Sequence, residues 1–287
     1  MSTNEAIGNS SNPVQSSAYP SDSTIINPRQ PSLFIGHGSP MNALQVNEFT
    51  TTWRKLGERI RREHGTPKAI LAVSAHWYTK GTAVTAMHTP KTIHDFWGFP
   101  PELSAINYPA PGAPAFAEAV TEIAKPTAVL PDEASWGLDH GTWSVLVHLF
   151  PEANVPVIQL SVDATASMDE HLALATRLNA LRDQGILILG SGNVVHNLSA
   201  VNWKQPAGEK WADAFDESFH DLLHDDPSSI PSLTEHAYFQ RAVPTPDHFL
   251  PALHIAGATT MSDKKPEVFN YARTMGSLSM TSYGLFD

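Results

Sequence analysis

The chain has 287 residues, 14 of them histidine and none cysteine, so a disulfide, a Cys-ligated zinc, an iron–sulfur cluster and a thiol nucleophile are all excluded. Its 18 basic against 29 acidic residues give a formal charge of -11, the wrong sign for gripping a polyanionic backbone, and no nucleic-acid partner is expected. What stands out is the histidine load in a chain whose charged fraction is 16%, against about 25% in an average soluble protein.

Residues 1–30 hold seven Ser, four Asn and three Pro, with Glu5, Asp22 and Arg29 as the only charges. Such a stretch cannot bury a core and lacks the basic start and apolar run of a secretory signal, so a disordered leader is expected. No apolar run of about 18 residues occurs later, which predicts no membrane span and a cytoplasmic protein. Residues 31–287 carry no low-complexity linker and no repeat, and one catalytic domain is expected there.

Along that domain short apolar runs alternate with segments of helical period, the pattern of an α/β fold with a central, mostly parallel or mixed sheet flanked by helices. Strands are predicted at Leu33–Ile35, Ala69–Val73, Ala83–Met87, Val155–Leu160 and Ile186–Leu189. Phe49, Trp53, Leu56 and Ile60 line one helix face, and Phe116, Val120 and Ile123 a second. Ser167 and Glu170 form a capping box ahead of Leu172, Ala175, Leu178 and Leu181. Trp211, Phe215, Phe219 and Leu222 line a fourth helix, and Thr245-Pro246 reads as the N-cap and N1 pair of a fifth. Residues 89–114 and 131–142 read as long, irregular loops, a kind that in compact domains is usually functional.

No His-Glu-x-x-His motif marks a metal site. Placement says more. His37 follows the first strand within Gly36-His37-Gly38-Ser39-Pro40, His76 follows the second within Ser74-Ala75-His76-Trp77, and His196 lies in Gly190-Ser191-Gly192-Asn193-Val194-Val195-His196-Asn197. All three are expected just past the carboxyl ends of strands, where crossover loops of open α/β sheets leave a ligand crevice. Taken singly, each is more often a histidine that only hydrogen-bonds loop backbone. The glycines beside them favour close approach to a ligand, and the three together are candidates for one metal site.

His248, at the third position of the helix opened by Thr245-Pro246, is a fourth candidate, because the positive helix end favours the neutral imidazole that a metal needs. His140, expected on a loop between a strand and a helix, could reach the same crevice. His64, His88, His148, His171, His220, His224, His236 and His254 read as ordinary surface, cap or core histidines. So does His94, although Phe96, Trp97 and Phe99 beside it could wall a pocket. Gly190-x-Gly192 fails as a dinucleotide fingerprint because Val195 occupies its third small position, and no P-loop or G-x-S-x-G occurs.

Five motifs in order, Gly36-His37-Gly38-Ser39-Pro40, Ser74-Ala75-His76-Trp77, Gly137-Leu138-Asp139-His140-Gly141, Ser191-Gly192-Asn193-x-x-His196-Asn197 and Pro244-Thr245-Pro246-Asp247-His248, together resemble one family. It is the 4,5-DOPA extradiol dioxygenase family, within the LigB-like class III extradiol ring-cleavage dioxygenases, and the resemblance runs from about residue 31 to the end. It implies one mononuclear non-haem metal, Fe(II) or Zn(II), and O2-dependent opening of a catechol ring. Position by position, His37, His76 and His248 match metal ligands, and His196 matches the acid/base, sometimes counted as a fourth ligand. His140 matches a further active-site histidine facing substrate oxygen.

Where the wider class uses two His and a carboxylate, the third position here is His248, which leaves the site at +2 instead of +1. Three imidazoles are also the ligand set of a catalytic zinc, so a zinc hydrolase on the same residues is the alternative, and a non-enzymatic metal-binding protein a second.

Overall fold

Eight strands form one sheet in the computed structural model, which describes Met1 and residues 29–287. In chain order they are β1 (Ser32–Gly36), β2 (Ala69–Thr79), β3 (Thr82–Thr85), β4 (Val129–Asp132), β5 (Val157–Asp163), β6 (Ile186–Gly192), β7 (Glu267–Phe269) and β8 (Ser282–Leu285). Across the sheet the order is β4-β3-β5-β2-β6-β1-β8-β7. The centre, β5-β2-β6-β1, is parallel throughout. Antiparallel joints appear where β3 meets β5 and where β8 lies between β1 and β7. The sheet is therefore mixed, with a parallel middle, and the α/β expectation holds.

Six principal helices cover it: α1 (Glu48–Glu63), α2 (Pro114–Ile123), α3 (His140–Leu149), α4 (Met168–Leu178), α5 (Lys210–Asp225) and α6 (Leu253–Thr259). Side chains alternate across a strand, so Leu33 and Ile35 of β1 pack on α1 and α3 while Phe34 packs on the opposite layer with α5 and α6. Both faces are covered, which is why the central strands read as continuous apolar runs rather than alternating ones. Among the described residues no helix is long and apolar enough to cross a membrane.

The capping box at Ser167 is present, with Glu170 N–H on Ser167 Oγ at 3.2 Å and Ser167 N–H on Glu170 Oε2 at 2.7 Å. Other expectations need correction. The loop expected over 131–142 is largely structured: Asp132 ends β4, and α3 begins at His140. Of the ten residues of α3 only Val147 is not buried, so no apolar stripe marks it. Pro131 in β4 is tolerated because β4 is an edge strand. No α-helix starts at Thr245; a three-residue 3-10 turn, Pro246–His248, stands there, and α6 begins only at Leu253. β7 and β8, of three and four residues, are too short for an apolar run to announce them. The leader expected over residues 1–30 lies outside the described residues except for Met1, Arg29 and Gln30. Arg29 is held to the domain by Asp183, at 2.6 Å, and Gln30 by the Arg182 carbonyl, at 3.1 Å.

Candidate metal centre

Two adjacent parallel strands end together beside a third that runs on. Gly36 of β1 pairs with Gly192 of β6, and Ser191 of β6 pairs with Ser74 of β2, so β1 and β6 leave the sheet at one level next to the middle of β2. His37 is the first residue beyond β1, and Gly38 turns the chain there at φ 62°, a conformation that suits glycine. His196 lies four residues past β6, held by its N–H on the Ala242 carbonyl at 2.9 Å and by a bridge to Leu278. His76 differs from expectation: it sits within β2, which continues past a register shift between Val73 and Tyr78.

His140 and His248 reach the same place from outside those strands. Asp139 caps α3 by accepting the Thr142 N–H, which makes His140 the first helical residue rather than a loop residue. The first turn of α3 lies against β2 so closely that a Cβ on Gly141 would stand 2.5 Å from Ser74 Oγ and 2.8 Å from His76 Cδ2. The 246–248 turn lies as closely on β6, since a Cβ on Gly192 would meet the His248 carbonyl oxygen at 2.1 Å. The Asn193 N–H donates to that same carbonyl at 2.8 Å.

All five candidate histidines converge. The ligand atoms of His37, His76 and His140 lie within 4.8 Å of one another, and the Nε2 atoms of His37 and His76 stand 3.4 Å apart. The His248 ring centroid is 5.4 Å from that of His37 and 5.1 Å from that of His76. The His196 ring stacks on His248 at 3.5 Å.

Hydrogen bonds decide which nitrogens face inward. Ser191 Oγ donates to the Gly141 carbonyl at 2.6 Å, so towards His37 Nδ1, 3.0 Å away, it is an acceptor. Asp95 Oδ2 lies 3.1 Å from His76 Nδ1, and Asp247 Oδ2 meets His248 Nδ1. A carboxylate can only accept, so Nδ1 carries the proton in each case and the Nε2 lone pairs are left free. Lone pairs that face one another across 3.4 Å suit a shared cation. The donor set, buried imidazoles backed by a hydroxyl and carboxylates, fits a metal ion of the borderline kind.

Burial, reinforced by the neighbouring imidazoles, pushes His37 well below the usual histidine pKa. Burial lowers His140 and His248 too, against the pull of Asp95 and Asp247 respectively. Thus burial, not a helix end, keeps His248 neutral. At His196 burial, followed by the charge of His248, pushes the pKa down to about 2. For His76 burial acts downward, but the Asp95 hydrogen bond and the fields of Asp139, Asp95 and Asp247 outweigh it and raise the value. Burial alone would raise Asp95 and Asp247, yet their histidine partners hold both carboxyls well below the usual range.

Sequence reasoning missed Asp95 and the supporting part of Ser191. The one signal for Asp95 was its place in the irregular 89–114 segment. The aromatic group beside it is divided: Phe96 stands edge-on to His140 with centroids 5.6 Å apart, whereas Trp97 is 88% exposed. His94 turns away to the Ile106 carbonyl, at 2.8 Å. His148 is a satisfied core residue, between Arg54 Nε at 3.3 Å and the Asn42 carbonyl at 2.8 Å.

A family model for the catalytic LigB subunit of aromatic ring-opening dioxygenase matches residues 30–285. Over 260 residues the chain is 44% identical to the 4,5-DOPA dioxygenase extradiol of Escherichia coli (strain K12), covering 88% of this chain and 94% of that one. A protein of the same description from Beta vulgaris is 34% identical over 88% of this chain and 95% of its own. The crystal structure of an uncharacterized protein from Escherichia coli K12 superposes with a TM-score of 0.77 at 39% identity, covering 90% of this chain and all of that one.

Proposed function

The chain belongs to the LigB family of aromatic ring-opening dioxygenases, and on that premise we propose that it opens the ring of a DOPA-like catechol with O2, using one histidine-bound iron(II). The observation that carries this reading is the convergence of His37, His76 and His140, with His248 and His196 alongside, next to the carboxyl ends of β1 and β6 and the second half of β2. When bound, iron(II) supplies the redox centre through which an electron-rich ring and O2 can react.

His37 and His76 would hold the ion. Resemblance assigns the third donor to His248, while proximity in this structure favours His140. His196, stacked on His248, would take a proton from the incoming catechol hydroxyl and return one as the ring opens. His140, if it is not a ligand, faces the substrate oxygens, and Phe96 at its edge offers an aromatic wall to a flat ring. The overall reaction breaks one ring C–C bond beside the hydroxyl pair and places one oxygen atom of O2 in each new end, an aldehyde and a carboxylate.

The test is anaerobic loading with Fe(II), then O2 with L-DOPA or simpler catechols. Uptake of O2 and growth of a yellow semialdehyde chromophore are expected. Iron-loaded protein that consumes no O2 with any catechol sinks the proposal. An all-imidazole set also suits zinc, so zinc-loaded protein is the control, expected to bind the ion without consuming O2.

A further inference from the structure

Resting on the reading of the histidine cluster as a metal centre, we propose that Asp95 is a positioning residue that fixes His76 and His140 jointly, tying both imidazoles to one loop. Its two carboxylate oxygens are divided between them. Oδ2 lies 3.1 Å from His76 Nδ1, and Oδ1 lies 3.0 Å from His140 Nδ1 while accepting the His140 backbone N–H at 3.0 Å.

The sequence folds this way for a local reason. Lys91-Thr92 pairs in parallel with Gly137-Leu138, and the Ile93 N–H donates to the Leu138 carbonyl at 2.7 Å. Asp95 stands two residues beyond Ile93, and His140 two beyond Leu138, so one short register carries both to the same spot. The Trp143 indole N–H holds the Ile93 carbonyl at 2.8 Å, which locks the loop to α3 just before Asp95. Phe96, edge-on to His140 and 6.2 Å from Trp143, locks it just after.

The side chain of Asp95 is only 18% exposed, so this carboxylate has lost most of its water and depends on those donors. As a pure acceptor it requires a proton on His76 Nδ1, which turns the Nε2 lone pair of that ring towards the centre, and it holds His140 through the backbone N–H. An asparagine whose oxygen keeps the His140 backbone N–H sets its NH2 against the His76 ring; an alanine satisfies neither. Asp95 therefore couples a metal-binding imidazole on β2 to the leading imidazole of α3, and the loop's order sets the orientation of both.

The test has a readout that needs no turnover. In metal-free protein, long-range 15N spectra of the rings are expected to show His76 as the Nδ1–H tautomer. Asp95→Asn, which is isosteric, and Asp95→Ala should each release His76 into a tautomer mixture. Zinc affinity, measured by chelator competition, should fall by about 10- to 100-fold. Near-UV circular dichroism reports the fold, and the Asn variant carries the test if the Ala variant unfolds. Unchanged tautomers with unchanged zinc affinity in a folded variant overturn the proposal. Wild-type protein that binds no zinc overturns the metal-centre reading instead, and the tautomer spectra then still judge Asp95.

Discussion

The imidazole of His196 lies flat on that of His248, with ring centroids 3.5 Å apart and planes 4° from parallel. A stacked ring held by its neighbour can be replaced by another flat ring, so His196→Phe separates packing from proton transfer. If His196 serves only as acid/base, kcat falls by about 100- to 10,000-fold and bound iron is unchanged. Loss of iron from that variant, measured by metal analysis, would make His196 a ligand.

The third donor can be read from two substitutions. His140→Ala and His248→Ala are compared for zinc affinity by chelator competition, in protein whose circular dichroism is unchanged. The variant missing a direct donor should lose more than the roughly 10- to 100-fold typical of an outer hydrogen-bond partner. The other should bind zinc within that range yet turn over catechol poorly.

Gly192→Ala tests the seat of the 246–248 turn. The new Cβ would stand 2.1 Å from the His248 carbonyl oxygen, backbone that cannot rotate away, so the turn must lift off β6. A stability loss of about 1–3 kcal/mol is expected in urea unfolding, together with weaker metal binding. An unchanged midpoint and affinity would show that the turn yields freely.

Acid sensitivity should include a contribution from His254, which is remote from the centre. Burial, and secondarily the charge of His171, pushes its pKa down to about 3, against about 6.5 for an unfolded histidine. The folded state binds the proton more weakly, so this contribution is complete above about pH 6.5 and is lost as pH falls from there towards 3, by up to about 1.4 kcal/mol per pH unit. His254→Leu should flatten that part of the stability-pH curve. Parallel curves for the two proteins, measured by urea unfolding across pH 4 to 7, would contradict it.

Much of the scaffold was legible because its signals are local. The apolar runs of β1, β2 and β6, the stripe Trp53-Leu56-Ile60 and the Ser167–Glu170 box each depend on residues a few positions apart. α3 was hidden by its own burial, which removes amphipathic contrast, and β7 and β8 by their brevity. Thr245-Pro246 misled because Pro fits a 3-10 turn as well as a helix start, and because the Thr245 hydroxyl goes to the Asp247 side chain instead of a helix N–H.

For function, sequence alone determined the chemistry available: no thiol, 14 imidazoles, and glycines beside His37 and ahead of His196 where backbone must come close. Together with the five ordered motifs this was enough to single out His37, His76, His140, His196 and His248. Tertiary structure decided how those five face one another. Nδ1 partners such as Ser191 and Asp95 come from other strands and loops and fix each tautomer. Such partners are 154 residues away for His37 and 19 for His76, and no local pattern encodes a hydrogen bond across that distance. Burial, likewise a property of the assembled layers, keeps His37, His140, His196 and His248 neutral, each with a lone pair free for a metal.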